Sequence, residues 1–308
     1  MAVLNKPNGG HGSSLKTSLH RSQQAPGILG QQASNTLFSR FLTSNQESTD
    51  DFGAFEKLFF SCIQSADDKC ALTCLERLTQ RFGSSNERVM ALHSIYNEAI
   101  SRDQSGLERC LKKCDDILSQ NPVNMPIIKR RIALLTSLSR YAEAISGLVQ
   151  LLEATPTDAE AWCELAELYQ SQGMSTQAIF SLEEALLIVP HAWNIHARMG
   201  EILYVHASSL ENDDMTQQLQ SSTRYFCRSL ELCDNYLRGF YGLALATSRL
   251  KQAHLDRPEK EAYMHLHGLA KDKLKGILAT QYSLEPHLRE YEENELTSVQ
   301  RLLSDFSE

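Results

Sequence analysis

The sequence predicts an all-α protein of stacked antiparallel helix pairs, and three observations predict it. Pro122, Pro156 and Pro190 stand 34 residues apart. Small and large apolar residues keep that same phase, Ala144 with Ala178 and Leu148 with Leu182. The composition is 42% hydrophobic but only 7% aromatic, rich in the Leu and Ala that favour helices. A fixed period of this length marks a repeat array in which each unit buries its apolar face on its neighbours.

The clearest unit is 159–192. Trp162, Leu165, Ala166 and Tyr169 fall on a first helix, Ala178, Leu182 and Ala185 on a second, and Pro190 closes the unit. Two antiparallel helices pack closely only where small residues meet at the crossing, which Ala166 and Ala178 supply, while Trp162, Tyr169 and Leu182 fill the surrounding gaps. Gly173, near the turn, suits the positive φ that ends a helix. This pattern resembles the tetratricopeptide repeat, with Ala166 for its Gly and Leu182 for its Phe. The fold class expected is therefore all-α, a right-handed superhelical tetratricopeptide-repeat solenoid of about six helix pairs.

Sliding the frame outward extends the array. Unit 125–158 carries Ile128, Ile132, Leu135, Ala144, Leu148 and Leu151; unit 52–85 carries Phe55, Leu58, Phe59, Cys62, Ala71, Leu75, Leu78 and Gly83. Unit 86–124 places Val89, Leu92 and Tyr96 on one helix and Cys110, Cys114 and Ile117 on the next, with its extra residues in the turn around 101–106. Unit 193–236 holds Met199, Gly200, Leu203, Phe226 and Ser229, and its polar insert 208–221 is expected in a turn. A sixth pair begins near Leu237, with Phe240, Leu243 and Ala244, and its second helix covers about 259–281. The expected organisation is a disordered polar tail over 1–50, the solenoid over 51–285, and an acidic helix or tail over 286–308. The tail is rich in Ser, Gln, Asn and Gly and has little apolar material to offset its ordering entropy. Lys6, Lys16, Arg21 and Arg40 without an acidic residue before Glu47 faintly resemble a mitochondrial presequence, but two arginines among Gln and Gly make a poor amphipathic helix.

Charge and chemistry narrow the function. A net charge of −8 argues against binding to a nucleic-acid backbone. The best apolar run, 185–190, is far shorter than the roughly 18 residues of a membrane span. Eight cysteines include the pairs Cys70/Cys74 and Cys110/Cys114, four apart on one helix face, without the CxxC knuckles of a zinc site. They read as buried small hydrophobes in a reducing compartment, since no secretory signal opens the chain. No phosphate-binding loop, dinucleotide fingerprint, HExxH or GxSxG occurs, so no catalytic, cofactor or metal residues are expected. His265 and His267 point to different helix faces, and the carboxylates Glu160, Glu164 and Glu167 read as a solvated or docking face rather than an acid–base pair. Lys129-Arg130-Arg131 reads as a soluble face or a binding patch.

Tetratricopeptide arrays bind partners on the wall made by their first helices. One use is a clamp for terminal carboxylates, whose places here hold Lys129, Ala133, Glu164, Asn194 and Arg198. Two cations survive, but Glu164 replaces the central Asn and would repel a carboxylate, which disfavours a co-chaperone adaptor. A helical-repeat enzyme subunit, such as the α-subunit of a protein prenyltransferase, is the alternative of another class.

A closer likeness lies in Ser119–Asn124, Lys129–Ala133, the Ala159–Tyr169 run AEAWCELAELY, Ser181–Ala185 and Val189–His191, with 80–89, Tyr225-Phe226 and Arg238–Leu243 beside them. These stretches resemble the family of subunit 2 of the endoplasmic reticulum membrane protein complex, over about 52–280. The resemblance implies a non-catalytic scaffold on the cytosolic face of the endoplasmic reticulum, held peripherally by membrane-embedded and soluble subunits of an energy-independent insertase for tail-anchored and other membrane proteins. The tail, the insert and the acidic end have no counterpart in it. On a helix repeating every 3.6 residues, the wall positions are Lys129, Glu160, Glu167, Gln170, Asn194, Glu201 and Tyr204, expected to bind partners, with Tyr204 as the aromatic anchor.

Overall fold

The structure, a computed structural model, describes residues 11–30, 49–253, 256–285 and 289–306. Among the described residues there are fourteen α-helices and no strand. Two compact units, His11–Gly147 and Leu148–Glu308, divide the chain.

The first unit holds α1 (His11–Gly30), α2 (Thr49–Gln64), α3 (Asp68–Phe82), α4 (Glu87–Ala99), α5 (Gln104–Gln120), α6 (Met125–Ser137) and the start of α7 (Tyr141–Ala154). Short polar residues start its helices by accepting from their first free N–H groups. Asp67 takes the amide of Cys70, Asn86 those of Arg88 and Val89, Asp103 that of Gly106, and Asn124 that of Ile127. Residues at positive φ end three of them: Ala66 at 57°, Gly83 at 86° and Ser139 at 59°. The helices pair as the period requires, with α2 on α3, α4 on α5 and on α6. Leu58, Phe59, Cys62, Ala71, Cys74, Leu75 and Leu78 form one buried cluster. Burial pushes the Cys74 thiol up to about 12, so it behaves as an apolar filler rather than a nucleophile.

Here the structure differs from the expected polar tail. Residues 11–30 form α1, which packs on α2 and α3, while 1–10 and 31–48 lie outside the described residues. Ser18, Ser22 and Ala25, one or two turns apart, are buried, and the Ser18 hydroxyl donates to Gln64 Oε1. A stripe of small residues lets α1 lie close to α2 without a large apolar side chain. A scan for hydrophobic periodicity passes over such a stripe.

In the second unit α8 (Ala159–Ser171) pairs with α9 (Ser175–Ile188), α10 (Trp193–Ala207) with α11 (Asn212–Leu232), and α12 (Leu237–Leu250) with α13 (Arg257–Ser283). Asp158 caps α8 by accepting from Ala161 N. Gly173 takes φ 74°, and Met174 N donates back to Tyr169 O at 2.9 Å, closing the helix in the Schellman manner. Ala166 and Ala178 are fully buried in one cluster with Leu182, Ala185 and Met199. Trp162 is only half-buried and donates its indole N–H to Pro156 O at 2.9 Å.

The insert is also not a turn. Residues 212–221 prolong α11, and Leu219 is buried with Ala207 and Leu250 under Tyr204, Met215 and Tyr263. Ser222 Oγ donates to Gly200 O at 2.7 Å, locking α11 against α10. Met215, Leu219, Ser222 and Phe226 keep a helical spacing that average polarity conceals. A last helix, α14 (Glu293–Asp305), opens with a reciprocal capping box between Glu292 and Glu295. It buries Leu296, Val299 and Leu302 against Ala270, Leu274 and Leu278 of α13 and Phe240 of α12.

Candidate partner-binding site

The first helices of the second unit carry the candidate site. Cys163 and Glu167 stand one turn apart on α8; Asn194, Arg198 and Glu201 follow on α10; Tyr236 and Arg238 sit at the start of α12. Together with Leu182 and Ile195 they enclose an open cavity of about 180 Å³. The spacing follows from the helix period. Residues three, four and seven apart share a face, and the opposite face holds buried Leu165, Met199 and Ile202 in the core.

Electrostatics divide the cavity in two. On one side Glu201 bridges two guanidinium groups, Arg198 Nη1 at 3.0 Å and Arg238 Nη2 at 2.8 Å. On the other, Glu167 is exposed and has no ion-pair partner among the described residues. Burial raises the Cys163 thiol to about 11, and the negative field of Glu167, Glu160 and Asp158 adds to it. Burial likewise pushes the Tyr236 phenol up to about 12, against the pull of Arg238. Its ring stacks edge-on against Trp193 at 4.5 Å, which fixes this wall. Two polar atoms remain without a hydrogen-bond partner although they are buried: Asn194 Oδ1, an acceptor, and Arg198 Nε, a donor. A buried polar atom left unpaired costs about 1–3 kcal/mol.

Of the wall residues expected from sequence, Glu167, Asn194 and Glu201 share this cavity. Glu160 is exposed at the start of α8, and Gln170 accepts from Ser175 Oγ at 3.4 Å; neither lines it. Tyr204 is half-buried over the Ala207–Leu219–Leu250 cluster, with the Arg249 guanidinium 5.4 Å from its ring. Its ring is thus part of the fold and not a free anchor, so removing it would loosen α11. Lys129 lies half-buried on α6 in the first unit. Its neighbours Arg130 and Arg131 pair with Glu98 and Asp115, so that run is tied into its own unit rather than standing as an open basic patch. Tyr236 and Arg238 were not among the expected wall residues, and Arg198 entered only as a place of the carboxylate clamp. The long insert blurs the phase that would have aligned Arg238.

The remaining titratable groups give no catalytic constellation among the described residues. His265 is exposed, while His267 is buried with Nδ1 3.2 Å from both Thr247 Oγ1 and Ala244 O. No cluster of three or more His, Cys, Asp or Glu among the described residues is arranged to hold a metal ion.

Comparison with known proteins bears on what this array serves. Residues 85–213 match the family model described as the EMC2 TPR-like repeat domain. TPR repeat protein oca3 of Schizosaccharomyces pombe is 32% identical over 196 residues, covering 64% of this chain and 66% of that protein. ER membrane protein complex subunit 2 of Xenopus tropicalis is 33% identical over 193 residues, covering 63% and 61%. The chain thus spans 61–66% of the length of these curated relatives. The solved structure of Pseudomonas aeruginosa pilF superposes with a TM-score of 0.52 at 13% identity, covering 81% of this chain and 96% of that one, which speaks to the fold alone. Residues 85–213 are therefore similar to the EMC2 TPR-like repeat domain, and the chain that carries them is similar to the ER membrane protein complex subunit 2 proteins over about 60% of their length.

Proposed function

We propose that this chain is a non-catalytic scaffold subunit of the endoplasmic reticulum membrane protein complex. It would sit on the cytosolic face, bound to membrane-embedded and soluble subunits, and support energy-independent insertion of newly made membrane proteins, tail-anchored ones included. The observation that carries the reading is the coincidence of the EMC2-type repeat domain over 85–213 with a polar cavity on the first helices of the second unit. No helix among the described residues is long and apolar enough to cross a membrane, so attachment through other subunits fits. Helix pairs suit such work because their side chains present a rigid wall to several segments at once. The test is affinity purification of the endogenous chain from detergent-solubilised membranes, with its companions identified by mass spectrometry. Multi-spanning endoplasmic reticulum proteins in fixed stoichiometry are expected. Recovery of the chain alone, or with chaperones only, would overturn the assignment.

A further inference from the structure

Just past the end of α10 a serine hydroxyl meets an arginine of α12, 41 residues further along the chain. Arg249 Nη1 donates to Ser208 Oγ at 2.8 Å, and Ser208 Oγ donates in turn to Tyr204 O at 3.3 Å. Nine other arginines pair with carboxylates. Arg249 has no carboxylate partner among the described residues: Nη2 lies 3.5 Å from Met215 Sδ, and the guanidinium stands 5.4 Å from the Tyr204 ring. A guanidinium held by a hydroxyl, a thioether and a ring is a preformed receptor for an anion, and it already touches Ser208 Oγ.

The chain that follows Ser208 supplies the other half. Ser208 is exposed, and 208–211 form the turn that leads into α11. Glu211, Asp213 and Asp214 come three, five and six places downstream, all exposed. One class of protein kinase selects serines by acidic residues on their C-terminal side, the third place above all. Asp213 and Asp214 also suit the first turn of a helix, but Glu211 makes no capping hydrogen bond to α11. Ser209, next along, donates to His206 O at 2.7 Å and takes no bond from Arg249.

We propose that Ser208 is a phosphorylation site for an acid-directed protein kinase, with Arg249 receiving the phosphate. Ser208 Oγ attacks the γ-phosphorus of ATP, the bond from that phosphorus to the leaving ADP breaks, and the hydroxyl proton passes to the kinase's base. The bond to Tyr204 O is lost with that proton. What was a neutral hydrogen bond becomes a charge-assisted pair, since phosphoserine carries about −1.5 to −2 charges and three acceptor oxygens that match the guanidinium fork. Glu211, Asp213 and Asp214 oppose the phosphate through water, whereas Arg249 meets it in contact, and contact prevails. The product ties the turn after α10 to α12. This inference stands independently of the scaffold reading.

The test has two arms, both on the full chain. In the first, the chain is incubated with casein kinase II and MgATP, and phosphate is mapped by mass spectrometry. Ser208 should be modified, and Glu211→Gln should slow its modification about tenfold, the worth of one charge-assisted hydrogen bond. No phosphate on Ser208, or phosphate on Ser209 in its place, overturns the proposal. In the second, phosphoserine is built in at 208 by codon reassignment, and phosphorus-31 NMR follows its second ionisation, at about pH 6 when free. Arg249 favours the dianion, so Arg249→Gln should raise that midpoint by about half a unit, an exposed pair giving less than a buried one. Arg249→Lys, which keeps the charge without the fork, should fall between and serves if Arg249→Gln melts early. A midpoint unmoved by either substitution shows the phosphate standing free and overturns the proposal as well.

Discussion

The ring of Phe226 occupies the space that a Cβ on Gly242 would need, so α11 and α12 approach as closely as they do only because residue 242 is glycine. The same ring lies 3.0 Å from where a Cβ on Gly200 would stand, so one aromatic side chain fills the gap left by two glycines on neighbouring first helices. Helix propensity alone would make Gly→Ala in mid-helix favourable by ~1 kcal/mol. Steric overlap reverses the sign, and Gly242→Ala should destabilise by ~2 kcal/mol. Gly268→Ala, with nothing within 4 Å of its Cβ, should instead raise the melting temperature. Denaturant unfolding of the two variants checks the contrast, and a matching loss in both would discount the Phe226 contact.

Ser139 and Gly173 differ by one 34-residue period, and both adopt a left-handed backbone, at φ 59° and 74°. Their turns close alike: Arg140 N donates to Leu135 O at 2.9 Å as Met174 N does to Tyr169 O. A side chain in that region is strained by roughly 1–2 kcal/mol, partly offset by the extra freedom glycine has when unfolded. Ser139→Gly should therefore stabilise by ~0.5–1 kcal/mol, read as a higher thermal midpoint, and Gly173→Ser should lower it.

Helix α1 should matter to stability. Ser22 is buried against the Cys62 side chain, so Ser22→Leu should overpack the α1–α2 contact and cost ~1–3 kcal/mol. Deleting residues 1–30 should lower the thermal midpoint of the remainder by uncovering the Phe59–Cys62 face. An unchanged melt in both would mean that α1 contributes no net packing energy.

The His267 imidazole is held below its ordinary value, first by burial and then by the positive charges of Lys251 and Lys271. The fold thus favours the neutral ring, and the unfolded chain binds the proton more readily. Stability from this group is complete above pH 6.5 and drains away as pH falls below it toward the lowered folded value. His267 also stacks on Phe306 at 4.8 Å, so the loss should appear as weaker docking of the α14 end. The protection factors of residues 296–306, hydrogen exchange corrected for its intrinsic pH dependence, should fall on acidification, and His267→Gln should flatten that dependence.

The sequence showed the array clearly because the period rests on residues with one job each. Ala178 and Ala166 are fully buried at the crossing, and Leu148 and Leu182 fill the same place in their units, as small and branched side chains in phase must. Trp162 was expected as core filler, but it is half-buried with its N–H spent on Pro156 O, so it fastens the preceding loop as much as it packs. The caps were legible in principle: Asn124 and Asp158 stand one period apart before α6 and α8. Where reading failed, polar residues were doing the packing, in the serines of α1 and the mixed face of 212–221. On the wall, Glu167, Asn194 and Glu201 follow from helix phase alone. Arg238 joins them only through an ion pair reaching 37 residues along the chain to Glu201, a separation no local pattern reports.

Helix α14 carries a last consequence. A stack of helix pairs exposes, at each open end, the apolar flank on which another pair would grow. Leu296, Val299 and Leu302 cover that flank on α12 and α13, while the Tyr291 hydroxyl pins the approach to Asn235 O at 2.8 Å. Without such a lid, copies of the chain would find one another's open flanks and string together into filaments. By folding α14 over the α12–α13 pair, the chain spends that sticky surface internally.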